Sequence, residues 1–399
     1  MRERTFICVV VLAGLLLSAC SGVRSEGVGA RAPAPTPPAR PAAVERQSTV
    51  EVGRPSASPW QARDIGVRES LSIINFSDAA HGWVASREGS LFRTADGGQT
   101  WERHKLETPT GASVADVFFI NPASGWVVLK AASSDVLDYQ ANKVWLNYTA
   151  DGGRSWATQY SADGVGLSRV RFVNEQEGWA VGTRYVMRDT FQSDLLVLRT
   201  ADGGAHWEDV SANLNSVVAQ AGISDGVVDI YAATPARVLL LTSVGKIVET
   251  LDGGGRWGQI SEVSDAYAPT VLSRLGVSGD GLWTVGGADS KEGMWGELTR
   301  LDGRGAATTY KASGVIFRDA VFLDGQRILA CGSAPSPGAE DFGVGGKRDG
   351  VVLLSTDAGT RWSVIYRNSS RSHSINALTQ VGSGEVWAAG DDGLILRFK

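Results

Sequence analysis

The chain has 399 residues, 43% apolar and 20% charged, with 49 Gly, 13 Trp, three Cys and a formal charge of −5. That many aromatic and branched aliphatic residues exclude a disordered chain, and Gly without a three-residue period excludes a collagen-like one. The acidic balance argues against nucleic acid as a partner, while thirteen Trp all at or after Trp60 suggest one position used many times.

Arg2 and Arg4 precede an apolar run from Phe6 to Leu17, long enough for the core of a secretory signal and too short to cross a bilayer. The run ends in Leu17-Ser18-Ala19-Cys20, which resembles a bacterial lipobox, where cleavage precedes an acylated Cys. The expectation is a lipoprotein signal peptide over residues 1–19 and a lipid anchor at Cys20, holding the protein to a membrane in the bacterial cell envelope. Cys8 leaves with the signal and Cys20 carries lipid, so Cys331 has no disulfide partner within one mature chain. From Ser21 to Pro59 the composition turns to Ala, Pro, Gly, Arg and Ser and includes seven of the 13 Pro. Such a stretch has too little apolar surface to fold, so residues 20–58 are expected to form an extended tether and residues 59–399 the folded domain.

A repeat fills that domain. Five segments nearly superimpose: Thr94-Ala-Asp96-Gly-Gly-Gln-Thr-Trp101, Thr149-Ala-Asp151-Gly-Gly-Arg-Ser-Trp156, Thr200-Ala-Asp202-Gly-Gly-Ala-His-Trp207, Thr250-Leu-Asp252-Gly-Gly-Gly-Arg-Trp257 and Thr356-Asp357-Ala-Gly359-Thr-Arg-Trp362. Each reads as a hairpin turn: Gly supplies positive backbone angles, and the Asp carboxylate and Thr hydroxyl bond to turn amides. The Trp then starts the next strand and buries its ring. A sixth copy, Thr299-Arg-Leu-Asp302-Gly303, keeps the turn without the Trp.

A second series precedes the turns: Gly82-Trp83-Val84, Gly125-Trp126-Val127, Gly178-Trp179-Ala180, Leu282-Trp283-Thr284 and Val386-Trp387-Ala388, with Leu239 and Leu329 in the same slot. Seven slots imply seven repeats of four antiparallel strands with period-2 apolar alternation, the content of a seven-bladed all-β propeller. No comparable stretch shows a helical period. The last repeat stops after three strands, and Trp60 stands where a turn Trp belongs. The strand around Trp60-Gln61-Ala62 is therefore expected to complete the last blade, leaving no unpaired edge and a monomer.

The Ser/Thr-x-Asp-x-Gly-x-Thr-Trp turn resembles the Asp-box of sialidases, sortilin-type receptors and many bacterial propellers. The form Val170-Arg-Phe172 to Gly178-Trp-Ala-Val-Gly182 is similar, more narrowly, to the photosystem II assembly and stability factor family, whose cyanobacterial members are seven-bladed lipoproteins. The likeness covers roughly residues 60 to 399 and implies a non-catalytic, assembly-factor-like scaffold with a protein or peptide partner.

In an up-and-down blade the Asp-Gly turns share one face, and the loops between strands two and three project from the other. Those loops vary most, over Ala131–Lys143, Thr183–Asp194, Ala288–Trp295 and Ser333–Gly350, as expected of a binding surface on a fixed scaffold. They carry Tyr139, Arg184, Tyr185, Arg188, Phe191, Trp295 and Arg348, residue types enriched in interface cores. Ten residues before each slot stand Ile73, Asp116, Arg169, Asp229, Ser273, Asp319 and Ala377, flanked by Arg171, Arg274 and Arg318. This is a mixed-charge ring expected to line the channel and able to grip a polar ligand.

Signals for catalysis are weak. The four His form no cluster with metal-ligand spacing, so no metal or other cofactor is expected. Gly222-Ile-Ser224-Asp-Gly226 matches a nucleophile elbow without its strand-to-helix context. Gly343-Val-Gly345-Gly346-Lys347-Arg348 lacks residues a phosphate loop requires. The enzyme alternative is a sialidase-like glycosidase or a carbohydrate-binding propeller, but Ala62-Arg63-Asp64-Ile65-Gly66 lacks the Phe-Arg-Ile-Pro-like segment of that family.

Overall fold

The computed structural model describes residues 44–51, 59–107, 109–131, 141–187, 191–218, 226–263, 271–278, 281–290, 293–302, 306–337, 346–369, 374–382 and 384–398. Among them, five sheets have four strands and a sixth has nine. Each four-stranded sheet has an inner strand at one end, such as Leu71–Phe76, Ser113–Phe119 or Val165–Phe172, and steps outward through antiparallel neighbours. The inner strands together line a central channel of roughly 940 Å³.

Second strands depart from simple alternation. Gly82–Ser86 and Val238–Thr242 are buried at every position, because neighbouring sheets cover both faces. Trp83 packs forward onto Val114, Val117 and Phe119 of the following sheet, whereas Val84 packs back onto Trp387 and Ala389.

The Phe-to-Gly-Trp spacing follows from the same packing. Phe119 and Phe172 end inner strands directly opposite Gly125 and Gly178, and their rings lie so close that a Cβ there would sit 2.3–2.4 Å away. Their other faces stack on the slot Trp of the preceding sheet, Trp83 on Phe119 at 3.6 Å and Trp126 on Phe172 at 3.5 Å between centroids. The turn residues Trp156 and Trp207 then meet those Phe rings edge-on. One aromatic unit thus joins each of these blades to the next.

The Asp-Gly turns close as the sequence suggests. The Thr94 hydroxyl donates to Asp96 Oδ1 at 2.8 Å and accepts from the Gly98 amide; the Thr100 hydroxyl donates to Asp96 Oδ2 at 2.6 Å. Gly97 and Gly98 have φ of 68° and 75°. In the last copy the corresponding hydroxyl belongs to Ser355, which precedes the expected Thr356. These bonds, led by the Thr100 hydroxyl, hold Asp96 down at about 2, and the His206 amide and ring with Thr200 do the same for Asp202. Folding therefore favours the carboxylates, and their contribution is complete above the ordinary value of 3.8 and disappears as pH falls to about 2. The melting temperature is expected to drop across that interval, and less steeply in a variant combining Asp96→Asn and Asp202→Asn. Thermal unfolding at stepped pH checks this; identical slopes would refute it.

Three features differ from the sequence reading. Val44–Glu51, inside the expected tether, is a strand running parallel to the outer strands Ala307–Ser313 and Arg361–Asn368. It makes one nine-stranded sheet of two four-stranded groups. Its polar sequence hid it, since it pairs through backbone and buries only Ser48. Second, an α-helix spans Ser211–Val218 where the outer strand Glu208–Asp209 has only two residues. The Asn215 side chain bonds both the N–H and the C=O of Leu195, and the Ser211 hydroxyl accepts from the Val197 amide, replacing the missing strand. Third, much of the expected Thr183–Asp194 and Ala288–Trp295 loops continues the strands: Met187 pairs with Phe191, and Ala288 with Trp295. Trp60–Asp64 pairs antiparallel with Leu394–Phe398, and Trp60 packs against Leu329 and Val352 of the preceding group.

Candidate functional site

Every inner strand skips one residue in its pairing with the second strand, as between Val114 and Asp116 or Val227 and Asp229. The residue just beyond it takes an equivalent place in each sheet: Ile73, Asp116, Arg169, Asp229, Arg274, Asp319 and Ala377. The ring position in the fifth repeat is therefore Arg274, not Ser273. Trp283 pairs with Gly276, seven residues back, whereas Trp126 pairs with Phe118, eight back; the intervening turn is one residue shorter. Signs consequently alternate over five consecutive positions, from Asp116 to Asp319.

Each acid of this arc is committed twice. Asp116 accepts from Arg171 at 2.6 Å and from the Val170 amide at 2.9 Å. Asp229 accepts from Arg169 at 3.3 Å and from the Leu275 amide at 2.8 Å. Asp319 accepts Arg274 at 2.7 and 2.8 Å on its two oxygens and the Leu378 amide at 2.9 Å. All three are buried, at 2–3% exposure. Burial alone would pull the Arg274 guanidinium down, but Asp319 and Asp229 more than reverse this and keep it protonated. The acids thus tie successive inner strands together.

The channel lining also includes Arg87, Lys130 and Arg318. With Arg169, Arg171 and Arg274 they give six cationic side chains against the three acids, a local excess of positive charge in an acidic protein. Arg87 follows its second strand and Lys130 is the last residue but one of Gly125–Ala131, so both stand at the mouth facing the hairpins between strands two and three. The channel walls desolvate Lys130 and pull its ammonium below the ordinary value, and Arg87 and Arg169 add to this by repulsion. Among the described residues none of Arg87, Lys130 and Arg318 has an ion-pair partner. The sequence reading missed Arg87 and Lys130; their signal was a single basic residue ending an apolar second-strand run.

The hairpin residues are mostly braced. Arg184 pairs with Asp209 and Arg348 with Asp289, while Lys311 approaches the Trp295 ring at 6.0 Å. Tyr185 lies over Gly166. Asp349, 1% exposed, accepts from Ser336, Arg367 and Ser369 and pins the base of the hairpin after Ile328–Pro335. Phe191 is placed by its backbone pairing with Met187. Tyr139, Arg188, Cys20, Ser224 and Gly343 lie outside the described residues. Asp151, Asp252 and Asp357 repeat the turn bonds of Asp96 and Asp202, while Trp101, Trp257 and Trp362 pack at blade junctions. The turn residues are structural, on the face opposite the hairpins. Among the described residues no group of three or more His, Cys, Asp or Glu could hold a metal ion.

Residues 52–133 match the family model described as Photosynthesis system II assembly factor YCF48. A photosystem II assembly lipoprotein, Ycf48 of Synechococcus sp. strain CC9902, is 22% identical over 58% of this chain and 60% of its own length. A xyloglucanase of Paenibacillus sp. is 24% identical over 48% of this chain and 20% of its own. The chain spans less than two thirds of the first curated relatives it matches, 18% and 60% of their lengths. A solved structure described as YCF48 bound to D1 peptide superposes with a TM-score of 0.58 at 18% identity, over 86% of this chain and 97% of that one. At that identity the likeness fixes the fold: the chain is a β-propeller similar to the photosystem II assembly factors.

Proposed function

We propose that the chain is a non-catalytic, lipid-anchored scaffold of the cell envelope that binds a protein or peptide at the channel mouth and the hairpins around it. Its signal peptide would cover residues 1–19, and Cys20 would carry the anchor. The nine-stranded sheet divides into two four-stranded groups bridged by Val44–Glu51, which with the five smaller sheets makes seven blades. The observation that carries the reading is the cationic set Arg87, Lys130 and Arg318, which lines the channel beside the ring of paired charges and has no ion-pair partner among the described residues. Such a site suits an extended acidic segment or a terminal carboxylate. The solved neighbour with a bound peptide supports a peptide partner by analogy of fold.

A glycosidase would need two carboxylates free to act as acid and base or nucleophile. The three channel acids are instead held by Arg side chains and backbone amides, which supports the non-catalytic reading.

The partner-facing side can be located by placing a photo-crosslinking amino acid at Trp295, on the hairpin side, and at Leu251, 67% exposed in a turn on the opposite face. In native membranes a reproducible adduct is expected from position 295 and not from position 251. An adduct confined to position 251 would place the partner on the turn face and defeat the proposal.

A further inference from the structure

Among the described outer strands, only Ala307–Ser313 and Arg361–Asn368 gain an additional neighbour; Glu102–Lys105, Ala157–Asp163, Glu208–Asp209, Gly258–Glu262 and Trp60–Asp64 all end their sheets. The neighbour is Val44–Glu51, which reaches the edge of one blade with Val44–Ser48 and the next with Thr49–Glu51. Little of it is buried, yet its attachments are specific. The Ser48 hydroxyl donates to the Gly359 carbonyl at 2.7 Å, the Thr49 amide to the Thr360 carbonyl at 3.2 Å, and Lys311 Nζ to Glu45 at 2.9 Å. Val50 packs on the cluster containing Trp362.

Its place in the chain gives these attachments a role. Trp60–Asp64 closes the propeller, with Trp60 opposite Phe398. Tension applied just before Trp60 would act on that end pair and open the ladder one pair at a time. Tension from further upstream meets Val44–Glu51 first and must detach it from the edges of two blades before it reaches Trp60.

We propose that Val44–Glu51 is a clasp that takes load arriving along the N-terminal segment and shields the closing strand from it. This rests on the reading of that segment as a membrane tether. The clasp also moves the departure point of the tether from the last blade to the turn-side end of Ala307–Ser313, where Val44 pairs with Thr308.

The test is force spectroscopy on the full mature chain, with one handle on residue 20 in place of lipid and the other at Leu251, exposed in a turn of another blade. It compares the wild type with a variant in which residues 44–51 are replaced by an equal length of Gly and Ser. At one loading rate the wild-type propeller is expected to open at about twice the force needed for the variant, while the unloaded melting temperatures agree within a few degrees. Equal opening forces would overturn the clasp. So would a melting temperature lowered as far as by removal of the closing strand, since the segment would then be part of the core fold. Because the handle substitutes for the lipid, failure of the anchor reading is scored separately, by mass spectrometry of Cys20.

Discussion

Removal of Trp60–Asp64 is expected to destabilise the protein more than any single substitution in it. The deletion strips five paired residues from Leu394–Phe398 and leaves that strand as an open outer edge of its sheet. It also removes Trp60, 6% exposed and 5.2 Å from the Phe398 ring, from a cluster that includes Leu329, Val352 and Leu396. Loss of a buried Trp alone costs about 3–5 kcal/mol. With the ladder bonds added, the deletion approaches the whole stability of a typical domain, about 5–15 kcal/mol. A large fall in melting temperature, or failure to fold, is therefore expected, against a shift of a degree or two when residues 21–39 are removed. Thermal unfolding of the two truncations side by side makes the comparison. Equal melting temperatures would mean that ring closure does not depend on this strand.

The closing strand was legible because an isolated Trp-bearing strand and an unfinished last repeat complement each other in sequence. The turns were legible for a related reason: Asp, Gly and Thr act within five residues, so local chemistry determines them. What the sequence concealed acts across blades. The spacing of Phe172, Gly178 and Trp179 was visible as a pattern. Its cause, a Phe ring lying on a bare Gly and stacking on the Trp of the previous blade, requires the third dimension. Arg274 was placed one position off because the turn before Trp283 is a residue shorter than its counterparts, and counting back from Trp assumes equal turns. Ser211 and Asn215 gave no strand signal, since they imitate a strand with side-chain bonds. Val44–Glu51 lacks the apolar alternation that marks a half-buried strand, because its partners need only its backbone. Thr183–Met187 looked like a variable loop because a hairpin extended beyond the blade has no core to impose a pattern.

The channel itself was only partly legible. Asp116, Arg169, Asp229 and Asp319 were identified, and the ring reads at first as the gripping surface. Their geometry assigns them another task, since the acids are buried and doubly bonded while their Arg partners neutralise them. Under the proposed function the attraction for a ligand comes from Arg87, Lys130 and Arg318, which line the same channel and have no ion-pair partner among the described residues.

That division of labour gives the second large effect. Reversing the three cations together, Arg87→Glu, Lys130→Glu and Arg318→Glu, breaks no ion pair in the described residues, so the fold should survive. Each reversal at these exposed side chains exchanges an attraction for a repulsion and is worth on the order of 1 kcal/mol toward an anionic ligand, and three together about 3 kcal/mol or a hundredfold in affinity. The decisive measurement is calorimetric titration of the wild type and the triple variant with an Asp- and Glu-rich decapeptide at low salt, repeated at 0.5 M salt. Wild-type binding is expected to weaken at least about a hundredfold in the variant and to fall with salt in the wild type alone. Affinity unchanged by charge reversal, or binding of a Lys-rich decapeptide in place of the acidic one, would contradict the assignment of the channel mouth as the binding site.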